Sequence, residues 1–319
     1  MLNNLATFQG SPLLRVGCVF VDIQRFLNSR SSIVLALFLG RTLPRRVGYR
    51  LADWVATRLA ARSDLLLVQT ERANQWVVSG ETLAGEALNW AVEETLRNTA
   101  RSIFDFYHYF SRPEATQRLI IPEATAQLLL QRPEYEERGL VIAGLHMSAF
   151  DLVLQSLCRQ GMHPLVLTIP DPQGGRQQEY EMRRRTGMNI LPASVSALRQ
   201  AVRHLQQGGM VVTGIDRPIK QPSHPPRFFG RPAALPTHHI YLAVKAKVPI
   251  VIMTPQRDVD GNYRIYASEL LEMGPHPDRE TETLRNAEKV LSAAEGLLRK
   301  APHQWYISLP VWPEIVGRV

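Results

Sequence analysis

The sequence predicts an α/β fold, with a mostly parallel central sheet flanked by helices and an N-terminal helical preface. Two patterns predict it. From residue 139 onward, short apolar runs alternate with longer amphipathic segments, which is typical of a parallel sheet with crossover helices. Before that point, apolar residues recur mainly at three- and four-residue spacings, which indicates helices. We therefore expect one domain over 1–319, with the helical preface over 1–130 and an α/β core over 131–319.

The preface begins with an amphipathic, basic segment. The pattern is helical over 32–61, and a helix is expected to open at Leu43-Pro44 and to carry Val47, Leu51 and Trp54 on one face. Such a segment either lies on an anionic membrane surface or is an ordinary surface helix with a solvated basic face. The sequence supports both interpretations equally. Four arginines crowd the start of this helix: Arg41, Arg45, Arg46 and Arg50.

The remaining elements follow in order along the chain. Ser194 is expected to cap a helix that Gly208-Gly209 ends, and the stretches 170–178 and 218–226 are expected to be loops. The aromatic residues of 79–110 favour a core position over a ligand-stacking one. Helices are predicted over 79–110, 122–130, 148–159, 180–186, 194–207, 237–246 and 280–300. Strands are predicted over 140–145, 164–168, 189–191, 210–215, 249–254 and 263–267.

The charge balance favours an anionic partner. The chain has 37 lysines and arginines against 29 aspartates and glutamates, a net charge of +8 and a pI near 9.8. Such a balance suits nucleic acid, a membrane surface or a phosphorylated substrate. No apolar run reaches the roughly 18 residues that would span a bilayer, and the two cysteines, Cys18 and Cys158, fit no metal-binding spacing. We therefore expect a soluble or peripheral protein of a reducing compartment.

His146 and Asp151 are the first candidates for catalysis. The apolar run 140–145 predicts a strand buried on both faces, and His146 ends it, at the position where open α/β sheets bind ligands. Asp151 follows in the first turns of the next predicted helix. A neutral imidazole accepts a hydroxyl proton near pH 7, and a nearby carboxylate can hold its other nitrogen as N–H. A His and an Asp that are close by chance are the alternative.

A second cluster follows the predicted strand 210–215. Asp216 and Arg217 are expected at the same sheet edge as His146, because the ends of parallel strands share that edge. Arg217 either binds a phosphate or oxyanion or forms a structural ion pair with Asp216.

Two further clusters are candidates for substrate contacts. Thr237 is a predicted N-cap, and the start of its helix would present free N–H groups to an anion. The adjacent His238 and His239 are rejected as metal ligands, because neighbouring helical positions do not face one ion. An arginine cluster either clamps a phosphate or head group, or forms a solvated face: Arg176, Arg183, Arg184 and Arg185.

The order of these clusters resembles one family. His146-x4-Asp151 matches the His-x4-Asp/Glu motif of glycerolipid acyltransferases. The ordered set is similar to the bacterial lipid A lauroyl/myristoyl acyltransferases, a family that also includes phosphatidylinositol mannoside acyltransferases. The resemblance runs from about residue 40 through Leu43-Pro44, 198–205 with Gly208-Gly209, Asp216, 228–230, Pro236-Thr237 and 301–306. One departure is Asp216-Arg217, where members acting on lipid A often carry Asp-Gln. Besides His146 and Asp151 as catalytic residues, we expect these to bind substrate: Arg183, Arg184, Asp216, Arg217, Phe229, Gly230, Pro236 and Thr237.

The resemblance implies a glycerolipid acyltransferase-like fold and a peripheral membrane O-acyltransferase. Its donor would be acyl-carrier protein or acyl-CoA, and its acceptor a hydroxyl of a glycolipid or phospholipid. His146, oriented by Asp151, would act as general base, with no acyl-enzyme, cofactor or metal. We expect a monomer whose preface faces an anionic membrane, on the cytoplasmic face of the bacterial inner membrane, without a nucleic-acid partner. The helices of 83–110 either wall an acyl groove or form core.

Two other classes of function stay open at this point. One is a lipid or thioester hydrolase on the same scaffold, in which water replaces the alcohol. The other is a non-catalytic protein that binds a membrane or nucleic acid through its basic surface. The aromatic positions expected of a single-strand binder are not evident in the sequence.

Overall fold

The computed structural model describes residues 30–131, 138–169, 180–181, 183–220, 222 and 224–319. Its helices are α1 (Arg30–Thr42), α2 (Arg45–Ala60), α3 (Leu66–Val78), α4 (Gly85–Tyr109), α5 (Pro113–Leu119), α6 (Ala124–Gln131), α7 (Phe150–Arg159), α8 (Val195–Gln206), α9 (His238–Ala246) and α10 (Arg279–Leu298). Its strands are β1 (Ile120–Pro122), β2 (Leu140–Gly144), β3 (Leu165–Thr168), β4 (Asn189–Pro192), β5 (Met210–Gly214), β6 (Arg227–Phe228), β7 (Arg231–Pro232), β8 (Ile250–Arg257) and β9 (Tyr263–Ala267). A short 3-10 helix, Pro302–Gln304, follows α10.

Seven strands form one sheet in the order β1-β9-β8-β2-β5-β3-β4. Neighbouring strands are parallel except β8 and β9, which are antiparallel. Strand β2 lies between β5 and β8, and its register pairs Gly144 with Gly214. The residues that follow these glycines therefore meet at one edge of the sheet. The predicted α/β class, with a mostly parallel sheet and a helical preface, is confirmed.

The central strands are buried on both faces. Val141, Ile142 and Ala143 of β2 are at most 5% exposed, as expected for a parallel sheet that helices cover on both sides. On one face the core includes side chains of α8, α9 and α10. The apolar runs of the sequence become strands of this kind because burial of their side chains supplies the main favourable free energy of folding.

Helix α2 packs on α4 through a stripe of small residues. Gly48, Ala52 and Ala56 are buried on this side, and a Cβ at Gly48 would lie 2.0 Å from the ring of Phe104. This close approach requires glycine. The larger apolar side chains of α2 therefore point away from the protein, and four of them are exposed: Val47, Leu51, Trp54 and Val55.

A buried carboxylate ties α2 to the sheet. Asp105 of α4 accepts hydrogen bonds from the hydroxyls of Tyr49 (2.5 Å) and Tyr263 (2.7 Å) and from Nη2 of Arg45 (3.2 Å). Arg45 also donates to the carbonyl of Gly261. Arg45 thus turns inward and away from the outer face expected for it, because a buried carboxylate needs a cation and donors. The other arginines of its group are exposed: Arg41, Arg46 and Arg50.

The predicted strands are confirmed to within three residues at each end. Ser194 caps α8, since its Oγ accepts the N–H of Ala197 at 3.1 Å. Thr237 precedes α9, but its side chain makes no capping hydrogen bond. Helices α3 and α5, strand β1 and the β6–β7 hairpin were not predicted. The predicted loop 170–178, Arg176 and Cys18 lie outside the described residues. None of the helices in the described ranges is long and apolar enough to cross a membrane.

Candidate active site

His146 and Asp216 form a hydrogen-bonded pair just beyond the ends of β2 and β5. Oδ1 of Asp216 lies 2.6 Å from Nδ1 of His146, and Oδ2 accepts the backbone N–H of His146 at 2.7 Å. The indole N–H of Trp305 donates to the same Oδ2 at 2.8 Å. The pair meets because β2 and β5 run parallel and in register. The predicted shared edge of His146 and Asp216 is therefore confirmed.

The surroundings of Asp216 keep its carboxylate ionised. The side chain is fully buried, and burial alone would raise the pKa of Asp216. The charge of His146 and the hydrogen bonds from His146 and Trp305 outweigh burial and lower the pKa of Asp216 below its ordinary value. An ionised Asp216 accepts the proton at Nδ1 of His146, which leaves the lone pair of the neutral ring at Nε2. This is the tautomer that a general base requires.

The imidazole of His146 is held on two sides and open on a third. Its ring meets that of Phe150 edge-on, with centroids 4.9 Å apart. A Cβ at Gly214 would lie 3.1 Å from Cε1 of His146, so a larger residue there would press on the ring. The side chain of His146 is nevertheless 27% exposed, and it lines a cavity.

Asp151 does not orient His146. It is the second residue of α7, and its Oδ2 accepts a hydrogen bond from Nη2 of Arg183 at 2.6 Å. The prediction that Asp151 holds Nδ1 of His146 is wrong, because the neighbouring strand β5 delivers Asp216 directly to that nitrogen. Asp151 lines the same cavity as His146, where its ion pair with Arg183 forms part of the polar wall.

A cavity of about 760 Å³ opens beside His146. Most of its wall is apolar and comes from α7, β2 to β5 and β8. None of the described residues that line it belongs to 83–110. Side chains of that segment such as Phe106 are instead buried in the core. Its apolar lining includes Leu154, Leu157, Val166, Ile190 and Met253. Its charged or titratable lining residues are His146, Asp151, Tyr180, Arg183, Arg217, Lys220 and His238.

A second histidine faces this cavity in the neutral form. Nε2 of His238 lies 2.6 Å from the hydroxyl of Thr213, and burial lowers the pKa of His238 to about 4. The next residue, His239, is buried, and neither ring nitrogen has a hydrogen-bond partner among the described residues. Burial lowers the pKa of His239 to about 3. Neither histidine is therefore charged at neutral pH.

Only some of the other predicted substrate-binding residues lie at the cavity wall. Arg217 and Pro236 line the cavity, and Arg184 is exposed outside it. Phe229 and Gly230 form the turn of the β6–β7 hairpin, away from the cavity wall. Their positive φ angles of 51° and 75° suit the two central residues of such a tight turn. Thr237 lies at the start of α9, beside His238.

Sequence reasoning missed Trp305 as a hydrogen-bond donor to Asp216. The segment 301–306 was noticed only as part of an ordered resemblance. A buried tryptophan N–H usually has an acceptor, but the sequence contains no signal that the acceptor of Trp305 is Asp216.

Fold and site together define a class of protein. It is an α/β protein with a hydrogen-bonded His146–Asp216 pair at the carboxyl edge of its sheet, beside a largely apolar cavity. The chain belongs to the bacterial lipid A biosynthesis acyltransferase family, whose sequence profile matches residues 31–313. Membership supports an acyltransferase role. A comparison with curated proteins finds no match.

Proposed function

We propose that the protein is a peripheral membrane O-acyltransferase that moves an acyl group from a thioester to a lipid hydroxyl. The observation that carries this proposal is the 2.6 Å contact between Nδ1 of His146 and buried Asp216, beside an apolar cavity. Nε2 of His146 removes the proton of the acceptor hydroxyl as its oxygen attacks the thioester carbonyl. When the tetrahedral intermediate collapses, the thiolate leaves and takes the proton from the imidazolium. Asp216 stabilises that imidazolium.

The cavity supports an acyl-chain donor. Its wall is largely apolar beyond His146, so an acyl chain placed there leaves water and gains hydrophobic free energy. The donor is then a thioester of acyl-carrier protein or of coenzyme A. The acceptor is a hydroxyl of a glycolipid or phospholipid. Arg217 on the cavity wall suits a phosphate of either substrate.

The exposed face of α1 and α2 supports a peripheral location. Large apolar side chains are exposed on both helices, and exposed apolar patches mark interaction sites. Arg46 and Arg50 are exposed on α2. Cations next to apolar side chains favour an anionic lipid surface. We place the protein on the cytoplasmic face of the bacterial inner membrane, as a monomer. The exposed apolar residues are Val34, Leu35, Phe38, Val47, Leu51, Trp54 and Val55.

The test is identification of the product. The purified protein is incubated with bacterial membrane lipids and with labelled acyl-carrier protein or acyl-CoA, and products are analysed by mass spectrometry. We expect an acylated lipid from the wild type. We expect a loss of roughly 100-fold or more in His146→Ala, and normal activity in the control His163→Ala, whose side chain is exposed.

Other products would identify other functions. Release of free fatty acid without acylated lipid would favour a hydrolase. Membrane binding without any turnover would favour a non-catalytic protein. An unchanged rate in His146→Ala would remove the basis of the proposal.

A further inference from the structure

The segment after α10 pairs with the loop that carries His146. The backbone N–H of Tyr306 donates to the carbonyl of His146 at 3.1 Å. Met147 and Trp305 form an antiparallel bridge, and the N–H of Ser148 donates to the carbonyl of Gln304 at 2.9 Å. The catalytic loop is thus held by a strand-like segment from the far end of the chain.

The side chain of Gln304 extends the same support. Its Oε1 accepts from the hydroxyl of Ser148 and from the N–H of Arg257, and its Nε2 donates to the carbonyl of Arg257. Ser148 has a φ of 45°, a conformation that non-glycine residues rarely adopt. The bonds from Gln304 hold that conformation two residues beyond His146.

Trp305 joins this segment to Asp216. Its indole N–H donates to Oδ2 of Asp216 at 2.8 Å, and its side chain is fully buried. The indole lies edge-on to the rings of Phe228 and Trp312, with centroids 6.1 and 6.4 Å away. Packing against Phe228 and the backbone bridge to Met147 fix the position of the N–H, and the N–H in turn holds the carboxylate.

We propose that Trp305 is a positioning residue for the acyl transfer, acting through Asp216 on the general base His146. This inference rests on the proposed function. Trp305 is fully buried and lies outside the cavity wall; its N–H holds Oδ2, so that Oδ1 stays directed at Nδ1 of His146. It also withdraws electron density from the carboxylate. Without this donor, the carboxylate binds the shared proton of the pair more tightly, and the backbone N–H of His146 is the one hydrogen bond among the described contacts that still holds Oδ2.

The test compares two tryptophans of one aromatic cluster. Trp305→Phe keeps an aromatic ring and removes the N–H that bonds Asp216. Trp312→Phe makes the same chemical change in an equally buried residue, whose indole N–H meets no acceptor among the described residues. We expect kcat to fall about ten-fold in Trp305→Phe, the lower end of what a hydrogen bond to a charged group contributes. KM should stay within about two-fold in both variants, and kcat should be unchanged in Trp312→Phe.

The pH dependence of kcat separates positioning from general damage. Because the pair holds its proton more tightly in Trp305→Phe, the acid limb of the profile should move to higher pH. Trp312→Phe should keep the wild-type limb. The other charged or titratable groups of the cavity are unchanged in both variants: Asp151, Tyr180, Arg183, Arg217, Lys220 and His238.

A spectroscopic measurement needs no turnover. The Nδ1 proton of His146, in a short bond to Asp216, should give a low-field proton resonance that is absent in His146→Gln. This resonance should shift in Trp305→Phe and stay in place in Trp312→Phe. If Trp305→Phe does not fold, benzothienylalanine at position 305 replaces the N–H with sulfur in a ring of nearly the same shape.

The outcomes distinguish this inference from the proposed function. If the wild type transfers acyl groups and depends on His146, but Trp305→Phe matches Trp312→Phe in kcat, pH profile and resonance, the inference is wrong and the function stands. If the wild type forms no acylated lipid, the proposed function fails, and the resonance alone decides whether Trp305 holds the pair.

Discussion

Replacing Asp216 with asparagine is the sharpest test of the pair, because it keeps the size of the side chain and changes one atom. Asp216 accepts two N–H groups on Oδ2, from the backbone of His146 and from Trp305, and the imidazole Nδ1–H on Oδ1. In asparagine one oxygen becomes NH₂. Two fixed donors require the amide oxygen at the Oδ2 position, so the NH₂ group faces Nδ1 of His146.

This geometry forces the wrong tautomer. Nδ1 must then accept a hydrogen bond, and the ring carries its proton at Nε2, where it cannot accept the proton of the acceptor hydroxyl. The general-base contribution is lost, which lowers kcat by about 10²- to 10⁴-fold. The same tautomer error in a Ser-His-Asp triad costs about 10⁴-fold. KM should change little, because Asp216 lies behind His146 and outside the cavity wall.

The assay is the initial rate of lipid acylation at saturating donor, across pH, with circular dichroism to confirm folding. Asp151→Asn is the matched control, since it removes a charge from the same cavity but leaves the bond between His146 and Asp216 intact. We expect it to perturb substrate binding through Arg183 and to keep the acid limb of the profile in place. A folded Asp216→Asn enzyme with kcat within about ten-fold of the wild type would refute the reasoning.

Three other predictions follow from the described contacts. Arg217→Ala should raise KM more than Arg217→Lys does, because lysine keeps the charge but loses the two-pronged geometry; unchanged kinetics in Arg217→Ala would contradict a substrate contact. Binding to anionic vesicles, measured by co-sedimentation, should fall with salt, in Arg46→Glu with Arg50→Glu, and in Trp54→Ala; equal binding to neutral vesicles at all salt concentrations would point to insertion without an electrostatic part. His239→Leu should stabilise the protein by about 1–3 kcal/mol at neutral pH, because it removes buried nitrogens that have no partner within the described part of the chain. Burial lowers the pKa of His239 from 6.5, its ordinary value, to about 3 in the folded protein. Between pH 6.5 and pH 3 the unfolded state therefore binds one proton more at this residue than the folded state does. Wild-type stability consequently falls as pH drops below 6.5. The gain in His239→Leu, measured by thermal unfolding, should therefore grow from pH 6.5 toward pH 4, and a gain independent of pH would exclude this cause.

The fold class and the sheet edge that carries His146 could be predicted from the sequence alone. Alternation of short apolar runs with amphipathic segments is a local property, since a strand or helix is recognised from the spacing of its own side chains. His146 was found for the same reason, as a polar residue ending a buried strand. The strand that ends before Asp216 is predicted from the same kind of apolar run.

Which residues lie in contact at this edge depends on how the whole chain folds. Asp216 reaches His146 from 70 positions away, and Trp305 reaches Asp216 from 89 positions away. The first contact depends on the order and register of β2 and β5. The second depends on the pairing of the segment after α10 with the loop after β2. The periodicity of one strand encodes neither. Sequence reasoning therefore chose Asp151, the nearest carboxylate along the chain, which the fold pairs with Arg183.

The orientation of α2 shows the same limit on a helix. Its sequence has two candidate buried stripes, one of large apolar residues and one of small ones. The structure buries the small stripe, Gly48, Ala52 and Ala56, because only small residues allow the close approach of α4, and turns Arg45 inward to Asp105. Which stripe meets the protein is decided by the shape and charge of the partner, and these exist only once the chain has folded.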